Sequence, residues 1–94
     1  MLKKIRVGAC TYTIKELLVN ADEGFVGRCH PNSQLIEIEG RLPSDKKKQT
    51  LLHEVIHAIN FEYGNLRLSE RNTDIFATAL LSLFKDNPKF KAWL

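Results

Sequence analysis

His53-Glu54-Val55-Ile56-His57 sets two imidazoles four residues apart, with a carboxylate directly after the first. On a helix, where each residue turns the chain by about 100°, positions 53 and 57 differ by only about 40°. Both rings then leave one face, one turn apart, and their nitrogens can reach a single Zn²⁺ at about 2.0–2.1 Å. Glu54 falls beside them, near enough to hold a metal-bound water without ligating the metal. The chemistry that suits this arrangement is hydrolysis. Zinc lowers the pKa of its water toward about 7, and the carboxylate takes the proton as the water attacks a carbonyl. The plain alternative is two partly buried helix histidines with Glu54 on the surface.

Such a zinc needs a third protein ligand. The extended form HExxHxxGxxH fails, because Asn60 and Tyr63 stand where it requires glycine and histidine. Glu62, five residues past His57, lies about 140° round the same helix and points away. Glu70 and Asp74 are better placed, four apart on one face at the start of the next helix. Ala77, Thr78 and Leu81 share that face, and its small residues allow close helix approach. Glu70 is the expected ligand and Asp74 the acceptor for a histidine N–H, which fixes the ring's tautomer. Taken alone, Glu70 also reads as an acidic first-turn residue after an N-cap.

These residues need a scaffold. Lys3 to Val7, Tyr12 to Leu17, Phe25 to Cys29 and Gln34 to Glu39 read as strand candidates. Leu17 to Val19 could instead begin a helical turn, and Asn20 to Gly24 is a polar turn cluster. In the last strand Ile36 and Ile38 alternate with Glu37 and Glu39, which predicts one buried and one wet face. His30-Pro31-Asn32-Ser33 is a tight turn that pairs the last two strands as an antiparallel hairpin. Ser44 predicts the N-cap of a helix with Leu52, Val55, Ile56, Ile59 and Tyr63 at helical spacing, stopped by Gly64. Ser69 caps a second helix with an apolar stripe of Phe76, Ala79, Leu80 and Leu83, ended by Asp86-Asn87-Pro88. Phe90 and Trp93 lie in a short helical tail expected to pack back on the core. The fold class is α+β over residues 1–94, a single domain: a small antiparallel sheet of about three strands, then two main helices and the short third.

The segment Gln49 to Ile59, followed by Glu70, Thr73, Asp74, Phe76, Ala77, Leu80 and Leu81, resembles a minimal gluzincin metallopeptidase. Within that group it is most similar to the ImmA/IrrE-type proteins of bacteria, phages and mobile elements. The resemblance covers roughly residues 34 to 84 and implies a zincin-like fold. It implies that His53, His57 and Glu70 bind Zn²⁺, that Glu54 is the general base and that Asp74 supports a histidine. It also implies that the strand before the HExxH helix, Gln34, Leu35, Ile36, Glu37, Ile38 and Glu39, edges the cleft and pairs with substrate backbone. For an oxyanion donor, Tyr12 and Tyr63 are the candidates, although such tyrosines are more often interfacial core residues.

Composition bounds the remaining readings. The chain has 94 residues, 44% of them apolar and 27% charged, which suits one globular domain and excludes a disordered one. No apolar run approaches the length of a membrane span, and the start has no signal-like apolar segment. With only Cys10 and Cys29, no disulfide framework is expected, which places the protein in the cytoplasm. A metal site at the Cys29-His30 pair ranks below a structural role for it. Lys46 to Lys48 with Lys3, Lys4 and Arg6 offer a basic patch, but no stacking aromatics interleave. Nucleic acid therefore ranks last among partners, and a peptide or protein substrate first. The alternative to catalysis is a module in which the same zinc staples a small core and the domain binds a peptide without turnover.

Overall fold

The computed structural model describes residues 1–18 and 24–94. Strands β1 (Lys4–Val7), β2 (Cys10–Leu17), β3 (Gly27–His30) and β4 (Leu35–Glu39) precede helices α1 (Ser44–Glu62), α2 (Glu70–Asp86) and α3 (Pro88–Trp93). The fold is α+β, as expected. Of the polar turn cluster, residues 20–23 lie outside the described residues, as does Val19; Leu17 ends a strand and does not begin a helix.

The sheet differs from expectation in two ways. Among the described residues it has four strands, not about three, and it is mixed, in the order β1-β2-β4-β3. The β1–β2 and β3–β4 pairs are antiparallel, whereas β2 and β4 run parallel, with Ile14 beside Ile36. Parallel neighbours need a return connection, and β3 supplies it: the chain passes to the sheet edge, and β4 then fills the place beside β2. Alternation within a strand fixes which face is buried, but it says nothing about which neighbour is taken. The β3–β4 turn is as expected, a 3₁₀ turn over Pro31–Ser33 with Gln34 left-handed at φ 51°. Gln34 is therefore a turn residue, and the strand starts at Leu35.

One sheet face carries Tyr12, Ile14, Ile36 and Ile38, and α1 lies across it, adding Val55 and Ala58 to the core. Tyr12, Ile36, Ile38 and Ala58 are fully buried; each large apolar side chain so buried contributes roughly 1.5–3 kcal/mol. Polar contacts hold both ends of α1. Lys47 pairs with Glu16 of β2 near the start. Near the end, Tyr12 OH donates to Glu62 at 2.5 Å, and Gly8 N donates to Tyr63 OH at 3.0 Å. Gly8 can make that approach because it turns the β1–β2 connection at φ +61°, a conformation that strains any residue with a Cβ. The HExxH segment is therefore in the middle of a helix fixed at both ends.

The helix boundaries follow local chemistry. Pro43 is the N-cap of α1, one residue before the expected Ser44, and no side chain caps it. Gly64 at φ +101° ends the helix, and Ser69 Oγ caps α2 by accepting from Asn72 N at 3.0 Å. α2 folds back on α1, where Gln49 donates to Thr78 at 2.8 Å and Lys85 pairs with Asp45 at 3.1 Å. The fully buried Ala77 permits the close approach. The apolar stripe of α2 is not buried: Phe76 is 53% exposed and Leu83 43%, because the Glu70–Ala77 face takes the contact with α1. In the tail, Phe90 stacks on Phe84, but Trp93 does not pack back and is 82% exposed. Among the described residues, no helix is long and apolar enough to cross a membrane.

Candidate metal centre

Helix α1 sends His53 and His57 to the side facing α2, where Glu70 opens that helix. His57 Nε2 lies 3.1 Å from His53 Nε2, with the rings edge to face at a centroid distance of 4.8 Å. Glu70 spans both: Oε1 is 2.7 Å from His57 Nε2, and Oε2 is 3.0 Å from His53 Nε2. A tetrahedral zinc with bonds of about 2.0–2.1 Å holds its ligand atoms about 3.3 Å apart. Taking one ligand atom from each residue, the three atoms lie within 4.8 Å of one another, so small side-chain shifts bring them to that spacing. Two imidazole nitrogens and a carboxylate oxygen are a donor set that could hold a metal ion, and zinc is among the ions that accept it.

Asp74 stands one turn beyond Glu70, with Oδ1 3.3 Å from His53 Nδ1. That contact is on the opposite side of the ring from the Nε2 cluster. A carboxylate there can accept from an Nδ1–H, while Nε2 on the other side of the ring faces Glu70 and His57.

Glu54 is 7% exposed, buried between α1 and β3. Burial pushes its carboxyl up to about 7 from an ordinary 4.5; His53 pulls it down, Glu70 pushes it up and His30 pulls it down. Such a group changes protonation near neutrality, which suits a carboxyl that accepts and returns a proton. Two hollows of about 720 and 570 Å³ meet here, sharing Gly27, Glu54 and Glu70 in their walls. His57 faces the larger and His53 the smaller. A single cleft thus runs past the cluster, with β3 along one side.

The expectation that Gln34 to Glu39 edges this cleft is corrected. β4 sits between β2 and β3, with both backbone edges paired. Ile36 and Ile38 are buried in the core, Glu37 pairs with His30 at 2.5 Å, and Glu39 holds Arg41 at 2.8 Å. The edge beside the cleft is β3. Gly27 of that strand is the functional position that sequence reasoning missed. A Cβ there would meet Thr50 Cγ2 at 2.5 Å and Glu54 Oε2 at 3.1 Å. A glycine inside a strand pattern, between Val26 and Arg28, was the available signal.

Other residues fall away from the centre. Glu62 points away, as expected, and accepts from Tyr12 OH and from Cys10 Sγ. Neither tyrosine is placed as an oxyanion donor, since Tyr12 is buried on Glu62 and Tyr63 holds Gly8. Cys29 and His30 do not converge, because successive strand residues face opposite ways. Cys29 packs against the core and borders the cleft, its thiol pushed up to about 12 chiefly by burial and so kept protonated. No family model, curated protein or solved structure matches the chain.

Proposed function

We propose that this protein is a cytoplasmic zinc-dependent peptidase of the gluzincin type, zincin-like in fold. The observation that carries this reading is the convergence of one ligand atom each from His53, His57 and Glu70 within 4.8 Å of one another, beside the buried Glu54 carboxyl. When bound at these residues, zinc supplies a Lewis acid for the scissile carbonyl and for the hydrolytic water. Glu54 takes the proton from the attacking water and returns it to the leaving amine. With a cation held by the neighbouring histidines, the Glu54 carboxyl would shift toward its ionised form, the form that accepts a proton. An extended peptide adds to the outer edge of β3, which takes the role that the resemblance gave to Gln34–Glu39. Asp74 holds His53 in the ligating tautomer. The free thiols of Cys10 and Cys29 suit a reducing compartment.

The test is metal analysis joined to a peptide-library digest. Wild type should carry about one equivalent of zinc and cleave. Glu54→Gln should keep the metal and lose cleavage, and equal activity in that variant would overturn the mechanism.

A second reading, a zinc-stabilised peptide-binding module without turnover, draws on one observation. Glu70 belongs to α2, which packs mainly on α1, so a metal shared by the two helices would hold them together. Unfolding on zinc removal, with no cleavage by the loaded protein, would favour it.

A further inference from the structure

The face of α2 turned away from α1 has the wrong chemistry for water. Ala79 lies at its centre, nearly opposite Glu70 on the helix, and Ile75, Phe76 and Leu83 surround it. Ile75 is 54% exposed, Phe76 53% and Leu83 43%. The only charge on this strip is Asp86 at its end. Helix α3 does not cover it, since Phe90 reaches back to Phe84 on the flank. With Thr73 and Ala77 buried on the other side, α2 is packed on one face and carries an uncovered apolar strip on the other. That is the pattern of a helix packed from both sides.

We infer that a second copy of this chain covers the strip, α2 against α2 in antiparallel register about a two-fold axis at Ala79. Three observations favour a second copy over another partner. First, the strip is complementary to itself. With Ala79 facing Ala79, Leu83 shares a layer with the other copy's Ile75, and Phe76 lies beside the other copy's Leu83 on the same flank. The small residue at the crossing lets the helices approach, while the large ones interdigitate on either side. Second, charges match at both ends. Arg71 and Asp86 are exposed and make no ion pair among the described residues. In this register Asp86 faces Asn72 of the second copy, next to Arg71, so two symmetric ion pairs close the interface. Third, the strip is distinct from the cleft. Glu70 is on the far side of α2, and the His53–His57–Glu70 cluster stays open in the dimer. The strip exposes on the order of 300–400 Å² of apolar surface per copy, about half of a standard interface, so a weak, concentration-dependent dimer is expected.

Sedimentation equilibrium of the full chain tests this. Wild type at about 200 µM should approach twice the 10.8 kDa chain mass and dissociate on dilution. Ala79→Arg, which puts a charge on the axis at an exposed position, should be a folded monomer by circular dichroism. Arg71→Glu and Asp86→Arg should each weaken the dimer about tenfold, and the double variant should restore it. Only self-association in this register predicts that rescue. A wild type that stays at 10.8 kDa throughout would overturn the inference, as would a dimer that Ala79→Arg leaves intact. A monomer that binds lipid vesicles through the strip would also overturn it and assign the face to a membrane surface. Failure of the charge swap to rescue would overturn the antiparallel register.

Discussion

Gly27 of β3 and Thr50 of α1 are so close that a methyl group added to the glycine would sit 2.5 Å from Thr50 Cγ2. Strand and helix can pack at this distance only without a Cβ, and the approach brings β3 alongside Glu54. Gly27→Ala should therefore destabilise the protein by about 1–3 kcal/mol. Thr50→Ser, which removes the opposing methyl, should recover much of that loss in the double variant. Urea denaturation of the two single variants and the double variant measures the coupling; purely additive costs would mean that the clash is relieved elsewhere.

The metal reading gives graded expectations for α2. His57→Ala and Glu70→Ala should each abolish stoichiometric zinc, since each removes one of three protein donors. Asp74→Ala leaves all three donors and loses only the hydrogen bond to His53 Nδ1. It should retain zinc with an affinity lower by about 10–100-fold. Competition against a chromogenic chelator reads this directly. Asp74→Ala binding as tightly as wild type would remove its assigned role.

Glu54 makes the metal-free protein sensitive to pH in a defined direction. Its carboxyl is pushed up to about 7 from 4.5 by burial, so the folded chain holds a proton that the unfolded chain releases. That contribution is fully present below about 4.5, is lost as pH rises, and levels off above about 7. Glu54→Gln does not titrate. In chelator-treated samples its stability relative to wild type should grow between those limits, by up to about 3 kcal/mol, and then stay constant. Thermal melts of both proteins from pH 4 to pH 9 would show it, and a flat difference would contradict the burial of this carboxyl.

Thr73 is fully buried in the α1–α2 contact, and its Oγ1 has no hydrogen-bond partner. An orphaned hydroxyl of this kind costs about 1–3 kcal/mol. Thr73→Val keeps the shape and deletes the polar atom, so it should raise the melting temperature by several degrees. A lower melting temperature would mean that the hydroxyl has a partner in solution.

How much of this was legible in the sequence depended on whether the signal was local. His53, His57, Glu70 and Asp74 were legible because helical periodicity and the Ser69 cap fix which side chains share a face. The α+β class followed from strand-like runs preceding two periodic helices. Sheet order was not legible: the choice of β2 as parallel neighbour to β4 depends on pairings distant in sequence. That misplacement carried the cleft edge with it, from β3 to Gln34–Glu39. The stripe of Phe76 and Leu83 was apolar enough to suggest burial, yet the opposite face of α2 holds the contact with α1. Hydrophobic spacing gives the presence of an apolar face and not what lies against it.

Glu70 and Asp74 arrive on a helix joined to α1 by a short reversal, while His53 and His57 ride on a helix anchored to the sheet at both ends. The donor set is therefore divided between a fixed half and a detachable half. When α2 lifts from α1, two imidazoles stay in place and the carboxylates leave together. A cation bound across the two helices would stabilise the closed arrangement, so the opening free energy of α2 and the affinity for the cation are linked. Amide hydrogen exchange along α2 should slow in step with cation affinity, while exchange in β2 and β4 stays insulated from it.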